Sequence, residues 1–344
     1  MKLINLRISA SLFSRLHAHL FPGDGDEHGA VIAVGVAESE RETRLLAREV
    51  ILARDGVEYV PGQHGYRALS VEFVARASNY CARERLGYLA VHCHGGDDTV
   101  EFSQVDLASH QRGYPALLDI TLGGPVGALV FAHNAVAGEI WLSGKIQALE
   151  GISVIGANVR RLYPFPPVAV EFCDEIYHRQ SLLFDVVGQQ RLAATKVAII
   201  GLGGVGSLIS EWVARLGVGE IIAIDYDRIE PSNRPRIVGS TRLDALDFLF
   251  RSRLSFVRHL GARIATRKVA VAKRVARAAN PSIRYHALPG NITISEVARQ
   301  LRDVDYIFLC ADSMQSRLVF NVLVHQYLIP GVQIGSKVPV DQNT

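Results

Sequence analysis

Residues 197–236 read VAIIGLGGVGSLISEWVARLGVGEIIAIDYDRIEPSNRPR. The apolar run Val197–Ile200 predicts a buried strand. It breaks into Gly201-Leu202-Gly203-Gly204-Val205-Gly206, and an apolar-periodic helix follows to Leu216. Gly217 and Gly219 stop that helix, and a second buried strand, Glu220 to Ile224, ends on Asp225 and Asp227. Glycines at such a turn bring backbone N–H groups close to a phosphate, and the helix N-terminus favours its negative charge. An acid at the end of the next strand sits where a ribose hydroxyl needs an acceptor. The stretch predicts a nucleotide site in an α/β unit.

The residues downstream decide which nucleotide. Ser232, Asn233 and Arg236 follow at once, Lys268 lies in RKVAVAKRVARAANP, and Asp312 closes a further apolar strand in DYIFLCAD. A dinucleotide needs only the glycines and the acid. Two cations and an additional acid suit a triphosphate with Mg²⁺ whose α-phosphate is attacked in line. Asp227 reads either as a second ribose or metal acid or as a turn former. Cys310 reads as a buried small hydrophobe.

The ordered set GLGGVGS, DYD, SNxxR, the RK-bearing helix and LCAD resembles the ThiF/MoeB/E1 family, which adenylates the C-terminus of ubiquitin-like proteins. The resemblance extends upstream through YHRQSLLFDVVGQQRLAATKV and covers about half the chain. It implies a Rossmann-like adenylation fold that binds ATP and Mg²⁺, with Gly201, Gly203, Gly204 and Gly206 at the phosphates and Asp225 and Asp227 beyond them. It further implies roles for Ser232, Asn233, Arg236, Lys268 and Asp312. Lys268 rather than Lys273 aligns with the family's helix. By the same resemblance Arg179 reaches an ATP phosphate, often from the partner subunit of a dimer, so a homodimer is expected.

A chain of 344 residues is long enough for two domains. Hydrophobic residues make up 49% and charged residues 21%, and the net charge of +3 is too small to argue for nucleic acid. No apolar run is long enough to span a bilayer, and MKLINLRISASLF lacks a signal-peptide cleavage pattern, so no membrane role is expected. Cys81, Cys93, Cys173 and Cys310 form no CxxC pair, which argues against a disulfide framework and for a reducing cytoplasm.

Residues 1–163 read as a first domain, 164–172 as a Pro-rich linker and 173–344 as the nucleotide-binding domain. In the first, SASLFSRLHAHLF and LSVEFVARASNYCARER predict helices, and SQVDLASHQRGY a helix start capped by Ser103. HGAVIAVGVAES, TRLLAREVILA, GYLAVHCHGG, LLDITLG, GALVFAH and GEIWLSG predict strands, which together give a mixed sheet with flanking helices. His92 and His94 are two apart on a strand and project from one face. Asp106, in the first turn of the next helix, supplies a third ligand. Two imidazoles and one carboxylate leave a position for water, the pattern of a catalytic Zn²⁺ site. Glu27 is placed as the base that takes that water's proton, and Ser103 as a donor to the developing oxyanion. The order Glu, HxH, SxxD resembles the JAMM motif of JAB/MPN metallo-isopeptidases. The loop GGDDTVEF is one residue longer than the commonest spacing, and Gly95 stands where proline is usual.

Between Arg236 and Lys268 lie 31 residues, more than MoeB-like members need. Leu246, Phe250, Leu254 and Val257 predict one inserted amphipathic helix packed on the body, with an acidic partner's docking surface as the sharper reading. The chain ends before the crossover segment and thioester cysteine that the resemblance implies, so it reads as a fragment, an enzyme that stops at adenylation, or an inactive E1-like half. The leading expectation is a two-part enzyme of a bacterial ubiquitin-like pathway. The metal site would process or remove a modifier, and the second half would adenylate its C-terminal Gly. The partner would be a ubiquitin-like or sulfur-carrier protein ending in Gly-Gly, with an E2-like protein beside it. A non-catalytic nucleotide-binding scaffold and an NAD-dependent oxidoreductase are the competing readings; the latter leaves Arg236, Lys268 and Asp312 without roles.

Overall fold

The computed structural model describes residues 2–61, 67–142, 144–168 and 175–335. Contacts divide the chain into two units, Met1–Pro167 and Val168–Thr344, within the Pro-rich stretch. Linker residues 169–172, Cys173 and the end of GVQIGSK lie outside the described residues.

In the first unit, β1 (Leu3–Ser9) runs into α1 (Ala10–Leu20), which starts where the Ser9 hydroxyl accepts from the Leu12 N–H at 3.3 Å. The hairpin β2 (Gly29–Glu38) and β3 (Glu42–Leu52) follows, then the small ribbon β4 (Tyr59–Pro61) and β5 (Arg67–Leu69). Helix α2 (Val71–Glu84) leads to β6 (Gly87–Cys93), and α3 (Gln104–Ile120) to β7 (Val126–Phe131) and β8 (Val136–Leu142). The short strands β9 (Lys145–Ala148), β10 (Gly151–Ile155) and β11 (Val159–Leu162) complete it.

These strands build one mixed nine-stranded sheet, ordered β11-β10-β1-β3-β2-β6-β7-β8-β9. Both faces are covered. Ile32 and Val34 of β2 point into a core shared with Leu16 of α1, and Val31 and Ala33 into one shared with Phe73 of α2 and Tyr114 of α3. Burial on both sides is why β2 reads as an unbroken apolar run rather than an alternating one.

One expectation for this unit is corrected, and one strand went unread. LLDITLG is not a strand: LLDI is the last turn of α3, because Leu117 continues the buried stripe Asp106, His110, Tyr114 at helical spacing, and the turn follows it. The N-terminus, read only as lacking a leader, forms β1, with β10 and β3 on either side and Ile4, Leu6 and Ile8 buried.

The second unit opens on α4 (His178–Ala194), broken at Asp185, where φ is 55°. Then come β12 (Lys196–Ile200), α5 (Gly204–Arg215) and β13 (Glu220–Ile224), as the apolar runs and glycine stops predict. The predicted insertion helix is two helices, α6 (Asp247–Phe250) and α7 (Ser255–Ile264). Residues 251–254 interrupt the pattern, and Phe256, Leu260 and Ile264 face solvent at four-residue intervals. Helix α8 (Lys268–Ala279), β14 (Arg284–Leu288), α9 (Ser295–Arg299), β15 (Tyr306–Leu309), α10 (Met314–Tyr327) and β16 (Gly331–Gln333) follow. The sheet is all parallel, ordered β14-β13-β12-β15-β16. Its order reverses at β12, and the crevice outside the C-terminal strand ends at that reversal is where α/β folds bind ligands.

The insertion is clamped at its root. Buried Asp244 accepts from Arg274 Nη2 at 2.8 Å and from the Thr241 hydroxyl at 2.7 Å, and Arg234 Nη1 donates to Asp247 at 2.6 Å. The Arg274 hydrogen bond is the main cause that holds the Asp244 carboxyl at about 2. A depressed carboxylate contributes stability above its unfolded pKa of roughly 4, and the contribution is lost as pH falls toward the folded value. Asp244→Asn is therefore expected to cost about 1–3 kcal/mol at neutral pH and progressively less in acid. Urea melts at several pH values check this; a difference that does not shrink in acid contradicts it.

Candidate functional site

The glycine turn begins where β12 ends. Gly201 has φ of +90°, and a Cβ there would lie 2.8 Å from the Ala311 N, so the backbone of the next strand excludes a side chain. At Gly206 a Cβ would sit 1.9 Å from the Gly201 carbonyl oxygen. Gly206 thus packs α5 against the turn and does not line the crevice. Asp225 ties turn to strand: its carboxylate accepts from the Leu202 N–H at 2.7 Å and the Asp227 N–H at 2.8 Å. Burial pushes this carboxyl up, against the pull of those two N–H groups and of Lys268.

A crevice of about 560 Å³ opens over the turn. Gly201, Gly203, Gly204, Asp225, Asp227, Arg236, Lys268 and Asp312 all line it, although some hundred positions of sequence separate the first from the last. Lys268 is buried at the start of α8, and its Nζ donates to Asp227 Oδ2 at 2.6 Å and stands 4.0 Å from Asp225 Oδ2. A second tie, Lys268 N–H to the Asp227 carbonyl at 3.0 Å, fixes α8 to the end of β13. Arg236 lies over the glycines, with its Cβ 3.5 Å from where a Gly204 Cβ would be. No carboxylate pairs with it among the described residues.

Besides Gly206, three candidates lie elsewhere. Ser232 and Asn233 are outside the crevice lining. They build the turn before Arg236: the Asn233 amide oxygen accepts from the Glu230 N–H, and the Asn233 carbonyl accepts from the Arg236 N–H at 3.1 Å. Arg179 is exposed in the first turn of α4 and does not line the crevice. Sequence reasoning missed Tyr226, Asn291, Ser316, Arg317 and Gln333, which do. Burial pushes the Cys310 thiol up to about 11, so it is protonated at neutral pH and a poor nucleophile.

In the first unit a second cluster forms. His92 and His94 sit at the C-terminal end of β6, their Nε2 atoms 3.2 Å apart. Asp106, in the first turn of α3, places Oδ1 3.5 Å from His92 Nε2 and Oδ2 3.5 Å from His94 Nε2. Ligand atoms about 2.0–2.1 Å from a tetrahedral metal are roughly 3.3–3.4 Å from one another. The edges lie near that spacing, although the two histidines face different Asp106 oxygens, and one atom from each of the three side chains lies within 4.8 Å of the others, so together they could hold one divalent ion. The last β2–β6 pair joins Gly29 to His92, and Glu27, two residues before Gly29, therefore arrives beside His94. Burial raises the Glu27 carboxyl, against the attraction of His92 and His94. Burial would raise Asp106 too, but hydrogen bonds to His92, His94 and Ser103 outweigh it and hold this carboxyl well below the usual range.

Ser103 stands where the sequence puts it, but its hydroxyl is already used. It donates to Asp106 Oδ2 at 2.7 Å, while the Ser103 N–H donates to the same oxygen at 2.8 Å. This capping box starts α3 and aims Asp106 at the histidines. A groove of about 320 Å³, lined by Phe21, Pro22, Glu27, Cys93, His94 and His133 among others, opens beside the cluster.

The glycine turn at the sheet's reversal, with acids and cations around it, defines the second unit as a Rossmann-like nucleotide-binding domain. The sequence model of the ThiF family matches residues 177–337, most of the second unit. The sulfur carrier protein adenylyltransferase of Thermus thermophilus is 29% identical over 147 residues, 42% of this chain and 47% of that protein. Ubiquitin-like modifier-activating enzyme 5 of Xenopus laevis is 25% identical over 153 residues, 41% of this chain and 34% of that protein. A crystal structure of the E. coli tRNA N6-threonylcarbamoyladenosine dehydratase TcdA in complex with AMP overlaps 50% of this chain and 62% of its own at 23% identity, with a TM-score of 0.39. The chain thus spans about half or less of the length of these curated relatives. The family match leaves the first unit outside it.

Proposed function

We propose that the second unit binds ATP with Mg²⁺ and adenylates the C-terminal carboxylate of a ubiquitin-like or sulfur-carrier protein ending in Gly-Gly. The observation that carries this reading is the meeting of Arg236, Lys268, Asp227 and Asp312 over the glycine turn. A dinucleotide oxidoreductase has no use for that set. Backbone N–H groups at Gly203–Val205 and the N-terminus of α5 hold the phosphates. Asp312, which has no cation partner among the described residues, would hold a Mg²⁺ ion, which would offset charge on the triphosphate. A carboxylate oxygen of the substrate attacks the α-phosphorus, the bond to the bridging oxygen breaks, and pyrophosphate leaves. Arg236 and Lys268 stabilise the charge that develops on the phosphoryl group and the leaving group. No proton need be moved. Adenylation makes AMP a leaving group, so a later thiol or amine can attack a carboxylate that would otherwise be inert.

The relatives point to the same substrate class, since one activates a sulfur carrier and the other a ubiquitin-like modifier by name. Arg179 is exposed and does not line its own crevice, and the neighbouring Ile176, Leu182 and Leu183 are exposed apolar side chains. We infer a homodimer in which α4 of a second copy brings this arginine to the phosphates. ATP–pyrophosphate exchange stimulated by a Gly-Gly-terminated peptide tests the reading; ATP binding without any exchange would leave a scaffold instead.

For the first unit we propose a zinc-dependent peptidase or isopeptidase that trims or removes the same modifier, carried by the His92, His94, Asp106 triangle. Zinc, when bound there, acidifies a water. Glu27, its carboxyl raised by burial, is placed to accept a proton, and the groove beside His94 receives the peptide.

A further inference from the structure

The crevice has two ends with different furnishings. On the glycine-turn side stand Arg236, over Gly204, and Lys268, paired with Asp227. The far side, formed by the start of α10, by Gln333 at the end of β16 and by Ile334 and Gly335 after it, carries one more cation, Arg317. Its Nε is buried without a hydrogen-bond partner, its Nη1 reaches only the Met314 sulfur at 3.5 Å, and no carboxylate pairs with it among the described residues. A guanidinium that lines a crevice with no carboxylate beside it is a ready partner for an incoming anion. Asp312, five residues earlier, does not supply it, though both line the same cavity.

The proposed reaction needs a second anion here. A carboxylate must approach the α-phosphorus on the side opposite the departing pyrophosphate, against the repulsion of a triphosphate. Arg236 and Lys268 lie at the phosphate end. We propose that Arg317 binds the C-terminal carboxylate of the acyl substrate and holds it for in-line attack, a role that rests on the adenylation reading. The planar guanidinium matches a carboxylate bidentately, which a lysine does not. The N-terminus of α10 adds to the positive field at the same end.

Equilibrium binding tests the assignment without turnover. A fluorescent Gly-Gly-terminated peptide and its C-terminal amide are titrated onto the full chain with a non-hydrolysable ATP analogue. Wild type is expected to prefer the free acid by roughly 10- to 100-fold, and Arg317→Gln to bind acid and amide alike. Arg317→Lys recovers only part of the preference. Nucleotide affinity stays within about twofold in both variants, which also shows that they fold. In exchange assays Arg317→Gln raises the KM for peptide and leaves that for ATP unchanged. A wild type indifferent to acid and amide overturns the proposal, as does a variant that loses ATP affinity instead. Preference for the acid without any pyrophosphate exchange would leave Arg317 its anion and sink the adenylation reading alone.

Discussion

Lys268→Ala is expected to lower the rate of ATP–pyrophosphate exchange by roughly 10²–10³-fold, and Arg236→Ala by a similar factor. The two losses should differ in kind. Arg236 is exposed over the glycines and pairs with no carboxylate among the described residues. Its removal deletes a donor and little else, so nucleotide affinity and melting temperature change modestly while the chemical step slows. Lys268 is 8% exposed and neutralises Asp227 at 2.6 Å, with Asp225 at 4.0 Å. Its removal leaves two carboxylates facing an incoming triphosphate, so ATP binding weakens as well. Asp227→Asn in the Lys268→Ala background should recover part of the binding and none of the rate. Single-turnover rates beside equilibrium nucleotide binding separate the two effects. A Lys268→Ala protein that exchanges pyrophosphate within a few-fold of wild type would remove the catalytic role from this crevice.

What the chain discloses in one dimension follows how local each signal is. The glycine turn, the acid after β13 and the HxH pair are contiguous patterns tied to a single element, and each is found where the apolar periodicity places it. Lys268 was separable from Lys273 only by alignment with a family helix, and the structure gives the physical reason: the first residue of α8 is pinned to the end of β13. Ser232 and Asn233 show the converse. Their motif marks the site, but their polar atoms close the turn that aims Arg236 rather than lining the crevice.

Arg317 was illegible. On α10 it reads as one more solvated helix arginine, and only the return of the chain from β15 through α10 to β16 brings it back over the crevice. The first strand carried a signal that went unused. Ile4, Leu6 and Ile8 alternate with Asn5 and Arg7, and Asn5 donates to Glu42 on the neighbouring β3 at 2.7 Å. The insertion failed as one helix since its apolar positions serve two surfaces: Gly261 packs under Leu249, whereas Phe256, Leu260 and Ile264 face outward.

The purified chain is expected to hold close to one zinc, and His92→Ala or His94→Ala to lower zinc affinity by at least roughly 100-fold, since even residues behind the ligands are worth 10–100-fold. Hydrolysis of a modifier fusion should vanish in both variants, with pyrophosphate exchange unchanged because the nucleotide crevice lies in the other unit. Ser103→Ala is the more discriminating change. It removes the hydroxyl that donates to Asp106 Oδ2 and unpins the first turn of α3, so zinc is retained but bound more weakly, and the helix cap costs about 1 kcal/mol of stability. Acidity gives an independent check. The hydrogen bond to Asp106 raises the His94 imidazole, and zinc requires it neutral, so metal loss on acidification begins at a higher pH than an unperturbed histidine would give. Asp106, held well below the usual carboxylate range, stays ionised throughout and does not contribute to that loss. Metal analysis of wild type and variants across pH decides the matter. Wild-type protein without stoichiometric zinc, or one whose zinc survives loss of both histidines, would leave His92, His94 and Asp106 as an ordinary polar cluster at the end of β6.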